Sequence, residues 1–134
     1  MTLQRHALRA ACACALLLAP ASAHAFEGRV SFYGSEHGQA RRRTACGQRF
    51  DPRGLTAAHR ALACGTRLRV VDIASGRSVD VTVNDRGPAD WTRRALDLAA
   101  GAGDQLGMRR RGVIRARITV LGPGLGRLHL AGAR

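Results

Sequence analysis

Lysine is missing from this 134-residue chain, so all 22 basic side chains are arginines, set against nine acids for a net charge of +13. A surface of that kind suits a polyanionic partner. Aromatic residues are scarce as well, with one Trp, one Tyr and three Phe. Single-stranded nucleic acid is gripped on aromatic stacking platforms, so this scarcity argues against a nucleic-acid partner. The apolar run Ala10 to Ala19 falls well short of the roughly 20 residues that cross a bilayer. No H-E-x-x-H, G-x-S-x-G, P-loop or dinucleotide fingerprint occurs, which leaves carboxylates as the main candidates for chemistry.

The first 25 residues have the form of a secretory leader. Arg5 and Arg9 precede the short apolar run, and Ala23-His24-Ala25 is an A-x-A cleavage site, with Ala21-Ser22-Ala23 as a second option. Cys12 and Cys14 have too little apolar sequence before them for lipid anchoring. The expected product is an exported protein of the periplasm or exterior, starting at Phe26, with no stable membrane insertion. Cys46 and Cys64 are then its only cysteines, and in an oxidising compartment a lone pair reads as one disulfide. With no histidines at ligand spacing beside them, neither a metal nor another cofactor is expected.

Residues 26–121 are enough for one domain, and Gly122 to Arg134 reads as a flexible basic tail. Gly28 to Gly34 alternates like a first strand, followed by a polar loop over Ser35 to Arg43 that exposes Glu36 and His37. Leu55 to His59 is a short apolar segment. Thr66 to Ile73 and Ser78 to Asn84 form a hairpin around Ala74-Ser75-Gly76-Arg77. Arg94 to Leu98 fits either a helix start or a short strand, Ala99 to Leu106 a helix ending at Gly107, and Val113 to Leu121 a strand. Many short strands with one short helix point to a small closed barrel or a sandwich.

The segment Ser78 to Pro88 (SVDVTVNDRGP) carries most of the chemistry. Val79, Val81 and Val83 share one strand face, and the strand must stop at Asn84-Asp85-Arg86-Gly87-Pro88. Asp85 therefore stands at the mouth of a rigid strand with Arg86 beside it to hold the acid in position. The plainer alternative is a polar turn without function. The other candidates are Asp51 after Phe50, His59 after an apolar run, and Asp97 between Leu96 and Leu98. A carboxyl among apolar neighbours can be tuned to act as a general acid, and glycosidic cleavage is the extracellular reaction most often run by acids alone. Each also has a simpler use: Asp51 capping a turn, His59 packed in a core, Asp97 paired with an arginine.

SFYG at residues 31–34, TACGQRFD at 44–51, LTAAHR at 55–60, GTRLRV at 65–70, VNDRGP at 83–88 and ALDLA at 95–99 resemble, in that order, the rare lipoprotein A family. The resemblance runs from about Gly28 to Leu121. It implies a mainly β fold, a six-stranded double-psi β-barrel related to expansins and barwin-like endoglucanases, with one or two short helices. It also implies septal-ring-type lytic transglycosylase activity. Asp85 matches the family's principal catalytic acid, with Asp51 and His59 as accompanying groove residues and Asp97 in the polysaccharide groove. Gln48 stands where members often have Glu; an amide can hydrogen-bond a sugar but cannot exchange a catalytic proton. Tyr33 and Arg86 join Gln48 and Asp97 as expected substrate-binding residues.

What the resemblance implies is an endolytic, non-hydrolytic cut between N-acetylmuramic acid and N-acetylglucosamine, leaving 1,6-anhydromuramic ends. The expected partners are peptidoglycan glycan strands, possible substrates after removal of their peptides, bound by a monomer. Arg41 to Arg43 and Arg109 to Arg111 are suited to attract the anionic wall. The sequence shows neither a lipid anchor nor a second wall-binding domain, so septal targeting is not expected. A non-catalytic, expansin-like wall-binding or loosening module and a hydrolase remain the competing readings.

Overall fold

The computed structural model describes residues 24–34 and 42–123. Six strands close into a barrel: β1 (Ala25–Tyr33), β2 (Thr56–Ala58), β3 (Arg67–Asp72), β4 (Ser78–Asp85), β5 (Leu96–Ala99) and β6 (Ile114–Gly122). One short helix, α1 (Ala100–Gln105), and a 3-10 turn over Asp90–Thr92 complete it. Around the barrel the order is β1-β5-β2-β4-β3-β6, with β1/β5 and β2/β4 parallel and the remaining neighbours antiparallel. This is a double-psi β-barrel. Closure leaves no free sheet edge, which a domain this small would otherwise have to protect.

Period-two patterning decides what fills the barrel. Val79, Val81 and Val83 of β4 point inward with Leu68 and Val70 of β3, Leu96 and Leu98 of β5, and Ile114, Ala116 and Ile118 of β6. Each large side chain so buried contributes roughly 1.5–3 kcal/mol relative to exposure. Within the segment over Arg94 to Leu98, ambiguous in sequence, Leu96 onward is strand because β1 and β2 both pair with it, and Ala99, expected in the helix, ends that strand. A stretch flanked on two sides by extended chain gains ladder hydrogen bonds that a helix would forgo. The Asp72 to Arg77 turn closes the β3/β4 hairpin, and the disulfide Cys46–Cys64 forms with a Cα–Cα distance of 5.9 Å.

Of the expected leader, residues 1–23 lie outside the described residues, and β1 begins at Ala25. Most of the Ser35 to Arg43 loop, Glu36, His37 and Arg41 included, is likewise outside them, as is the expected tail from residue 124 onward. β6 reaches Gly122, one residue into that expected tail.

Candidate active site

The site grows from a single irregularity in a ladder. β2 and β4 run in parallel with Ala57 opposite Val83, but the next β2 residue, Ala58, stands opposite Asp85. Asn84 is the extra residue of a β-bulge. Without it, strict alternation would put Asp85 on the inward face beside Val83. With it, Asp85 joins Ala58 on the opposite face, the common use of a bulge at a barrel rim. The same pairing continues outward: Ala58 is opposite Asp97 of β5, and Asp97 is opposite Ser31 of β1. Ser31, Asp97, Ala58 and Asp85 therefore form one row across four strands. β2 separates the two acids, so their backbones stand roughly 9–10 Å apart, and the methyl group of Ala58 between them leaves the space open.

That space is a cleft of about 200 Å³ lined by Tyr33, Arg42, Ala58, Asp85, Arg86 and Asp97. Four donors fix the Asp85 carboxylate. The backbone N–H groups of Ala45 and Arg86 both donate to Oδ1 at 2.9 Å. Arg42 Nη2 donates to Oδ2 at 3.1 Å and the Tyr33 hydroxyl at 3.4 Å. Burial, with the negative charge of Asp85 adding to it, raises the Tyr33 phenol above its ordinary range, so it remains a donor at any working pH. Its ring stacks on Phe50 with centroids 4.8 Å apart and planes 15° from parallel. Gly34, next in the chain, adopts φ 88°, and a Cβ there would fall 2.5 Å from the Phe50 ring. Only glycine lets that stack form.

Asp97 is held on the facing wall by a hydrogen bond from the Ser31 hydroxyl, and Arg94 Nε lies 3.5 Å from its Oδ1. The loop 44–48 is tied to β4 by the Cys46 N–H donating to the Asn84 carbonyl, and the disulfide fastens the same loop to the turn before β3. The bridge therefore secures the amide of Ala45 that grips Asp85. On the chain-entropy model it contributes roughly 3 kcal/mol.

Of the seven site residues proposed from sequence, four line this cleft: Asp85, Asp97, Tyr33 and Arg86. Arg86 meets Asp85 through its backbone N–H, while its guanidinium donates to the carbonyls of His59 and Leu62. The guanidinium on the acid is that of Arg42. Gln48 is exposed and does not line the cleft, its Oε1 accepting from Asn84 Nδ2 at 3.1 Å. Asp51 accepts from the Arg53 N–H, the turn-capping use. His59 Nδ1 accepts from the N–H groups of Ala61 and Leu62, and its ring meets Phe26 edge-on. Its backbone N–H donates to the Asp85 carbonyl at 3.1 Å, so it braces the end of β4. Burial first, then Arg60 and Arg86, lower the pKa of His59, which favours the neutral ring.

From sequence, Arg42 is read only as one of the wall-attracting run Arg41 to Arg43, and Ala58 is not singled out. Arg42 belongs to a run of three arginines, and nothing local marks it as the partner of Asp85. Ala58 was discoverable only through the bulge that aligns it with Asp85.

Comparison with known proteins places these residues in context. A family model described as lytic transglycolase matches residues 25–118. A Nostoc sp. protein named "Probable endolytic peptidoglycan transglycosylase RlpA" is 54% identical over 98 residues, covering 72% of this chain and 26% of that protein. The "Endolytic peptidoglycan transglycosylase RlpA" of Pseudomonas aeruginosa is 39% identical over 104 residues, covering 77% of this chain and 29% of that one. The chain thus spans about a quarter of the length of these curated relatives. Among solved structures, the apo expansin of Clavibacter michiganensis superposes with a TM-score of 0.57 at 26% identity, over 75% of this chain and 52% of that one. A mutant of the same expansin, solved in complex with cellohexaose, gives 0.56.

Proposed function

Because the chain belongs to the lytic transglycolase family, we propose that it cleaves the glycan strands of peptidoglycan internally and without water. The observation that carries this reading is the Asp85 carboxylate, turned out of the core by the Asn84 bulge and aimed into an open cleft by four donors. Oδ1 is committed to two backbone amides. Oδ2 is the oxygen on the side-chain side of the cleft, where it meets Tyr33 and Arg42.

The protonated Asp85 donates that proton to the oxygen between N-acetylmuramic acid and N-acetylglucosamine, and the muramic C1–O bond breaks. The muramic C6 hydroxyl oxygen then bonds to C1, closing a 1,6-anhydro ring, and its proton returns to Asp85. The acid ends as it began and no water is consumed, so one well-placed carboxyl suffices. Asp97 faces the same space as an acceptor for sugar hydroxyl or amide groups, its orientation fixed by Ser31 and its charge offset by Arg94. Asp51 and His59 are positioning residues for the loop and strand end that carry the acid. The protein acts, on this reading, as an exported monomer released from the leader at residues 1–25.

A second reading has its own support. The expansin relationship, with a cellohexaose-bound member, fits a wall-binding module in which the acids only bind sugar. Incubating the protein and its Asp85→Asn variant with intact and peptide-stripped peptidoglycan separates the two. Anhydromuramic ends detected by mass spectrometry from wild type alone support the transglycosylase. Polymer binding by both proteins with product from neither supports the wall-binding module, and reducing ends in place of anhydro ends indicate a hydrolase.

A further inference from the structure

The chain's single tryptophan, Trp91, is 86% exposed, about twice as exposed as the other exposed large apolar side chains among the described residues. An indole left in water forgoes the burial that normally places it among the most stabilising side chains. The segment presenting it is nonetheless firmly built. The Ala89 carbonyl accepts from the Thr92 N–H and hydroxyl, and the Thr92 hydroxyl accepts from the Arg94 N–H. Arg93 takes a left-handed φ of 53°, a conformation that costs a non-glycine residue of order 1 kcal/mol. Arg60 closes the base, donating to the carbonyls of both Pro88 and Arg94 and pairing with Asp90 at 2.9 Å.

One end of this loop lines the cleft, and the other packs behind a residue of its facing wall. It leaves from Arg86, two residues before Pro88, and returns at Arg94, which lies against Asp97. Trp91 thus stands on a hydrogen-bonded loop anchored beside Asp85 at one end and against Asp97 at the other.

The cleft lacks what this loop provides. Its charged walls offer hydrogen bonds, and one face of its sole aromatic, Tyr33, is covered by Phe50. A pyranose ring has an apolar C–H face that packs on an aromatic plane, and the N-acetyl methyl does the same. The cleft, at about 200 Å³, is also smaller than the roughly 300–1,000 Å³ of ordinary ligand pockets. A polymer cut internally must be gripped beyond it.

We propose that Trp91 is a stacking platform for an N-acetylated sugar ring, forming an outer subsite on the Arg86–Arg94 loop beside the cleft. This rests on the glycan-cleaving reading above. The subsite takes β-linked N-acetyl amino sugars and acts on binding, leaving the chemical step to Asp85.

The lone tryptophan gives the test a direct reporter. Peptide-stripped glycan strands are titrated into the full chain carrying Asp85→Asn while intrinsic fluorescence is followed. A saturable change in intensity or emission maximum is expected. Adding Trp91→Ala to that variant weakens co-sedimentation with insoluble peptidoglycan by about tenfold, the size of a lost stacking contact, while Trp91→Phe restores most of it. In the active protein, Trp91→Ala raises KM with kcat little changed. A fluorescence signal indifferent to glycan, or equal binding by the Trp91→Ala protein, overturns the platform. Binding that depends on Trp91 in a protein whose wild type makes no anhydro ends leaves the platform standing and rejects the catalytic reading alone.

Discussion

Arg42 Nη2 lies 3.1 Å from Asp85 Oδ2, so the guanidinium that accompanies the central acid comes from a residue 43 positions earlier in the chain. Arg86, adjacent to that acid, spends its own guanidinium on the carbonyls of the 59–62 turn. Arg42→Ala is expected to lower the release of anhydro products by about tenfold, the size of one lost charge-assisted hydrogen bond, with partial recovery in Arg42→Lys. Because the Arg42 side chain is more than half exposed, the melting temperature should hardly move. An unchanged rate would remove Arg42 from the site.

Ala58 separates the two acids of the row, and its size is its function. Ala58→Leu fills the space between Asp85 and Asp97 and should reduce turnover at least a hundredfold. Ala58→Ser, nearly isosteric, serves as the control and should keep most of the activity. Activity surviving in Ala58→Leu would show that the substrate does not enter between the acids.

Gln48 lies outside the cleft lining, hydrogen-bonded to Asn84, the bulged residue. A glutamate there could accept the same hydrogen bond from Asn84 Nδ2. Gln48→Glu is therefore expected to change product release by no more than about threefold, since a second acid is not required by the single-carboxyl scheme. A gain of a hundredfold would instead make position 48 a direct participant in the reaction.

Asp72, fully buried, supplies a pH test remote from the cleft. Hydrogen bonds from Arg111, Ser75 and the Ala74 N–H outweigh its burial and lower its pKa from 3.8 to about 2. Its folded value lies below its unfolded one, so its contribution is complete above pH 5 and fades as pH falls through 4 towards 2. Allowing for the exposure of the Arg111 end, that contribution is on the order of 1–2 kcal/mol. Denaturant midpoints measured from pH 6 to pH 2 should decline more gently in Asp72→Asn than in wild type. Parallel curves would remove Asp72 from the acid sensitivity.

The barrel itself was legible before any coordinates. Alternating valines in β4, the Ala-Ser-Gly-Arg turn and the alternation of β6 each mark an element through neighbours in sequence, and the family motifs gave the topology. The site was legible in part. Asp85 and Asp97 could be named because motif and strand context single them out, and the disulfide because two cysteines allow one pairing. The roles of Asp51, His59 and Arg86 were read as contacts with substrate or acid, whereas their side chains meet backbone groups of the supporting turns.

Local sequence fixes which residues alternate, where a strand must end and how many cysteines can pair, because those properties depend on side-chain size, φ preference and chain connectivity within a few residues. Which face Asp85 occupies depends on the register between β2 and β4, and a bulge of one residue inverts it. That register is set by simultaneous pairing around a closed barrel, as is the approach of Arg42 and the opening above Ala58. Such relationships join residues that are close only after the chain has closed on itself, and the tertiary structure alone decides them.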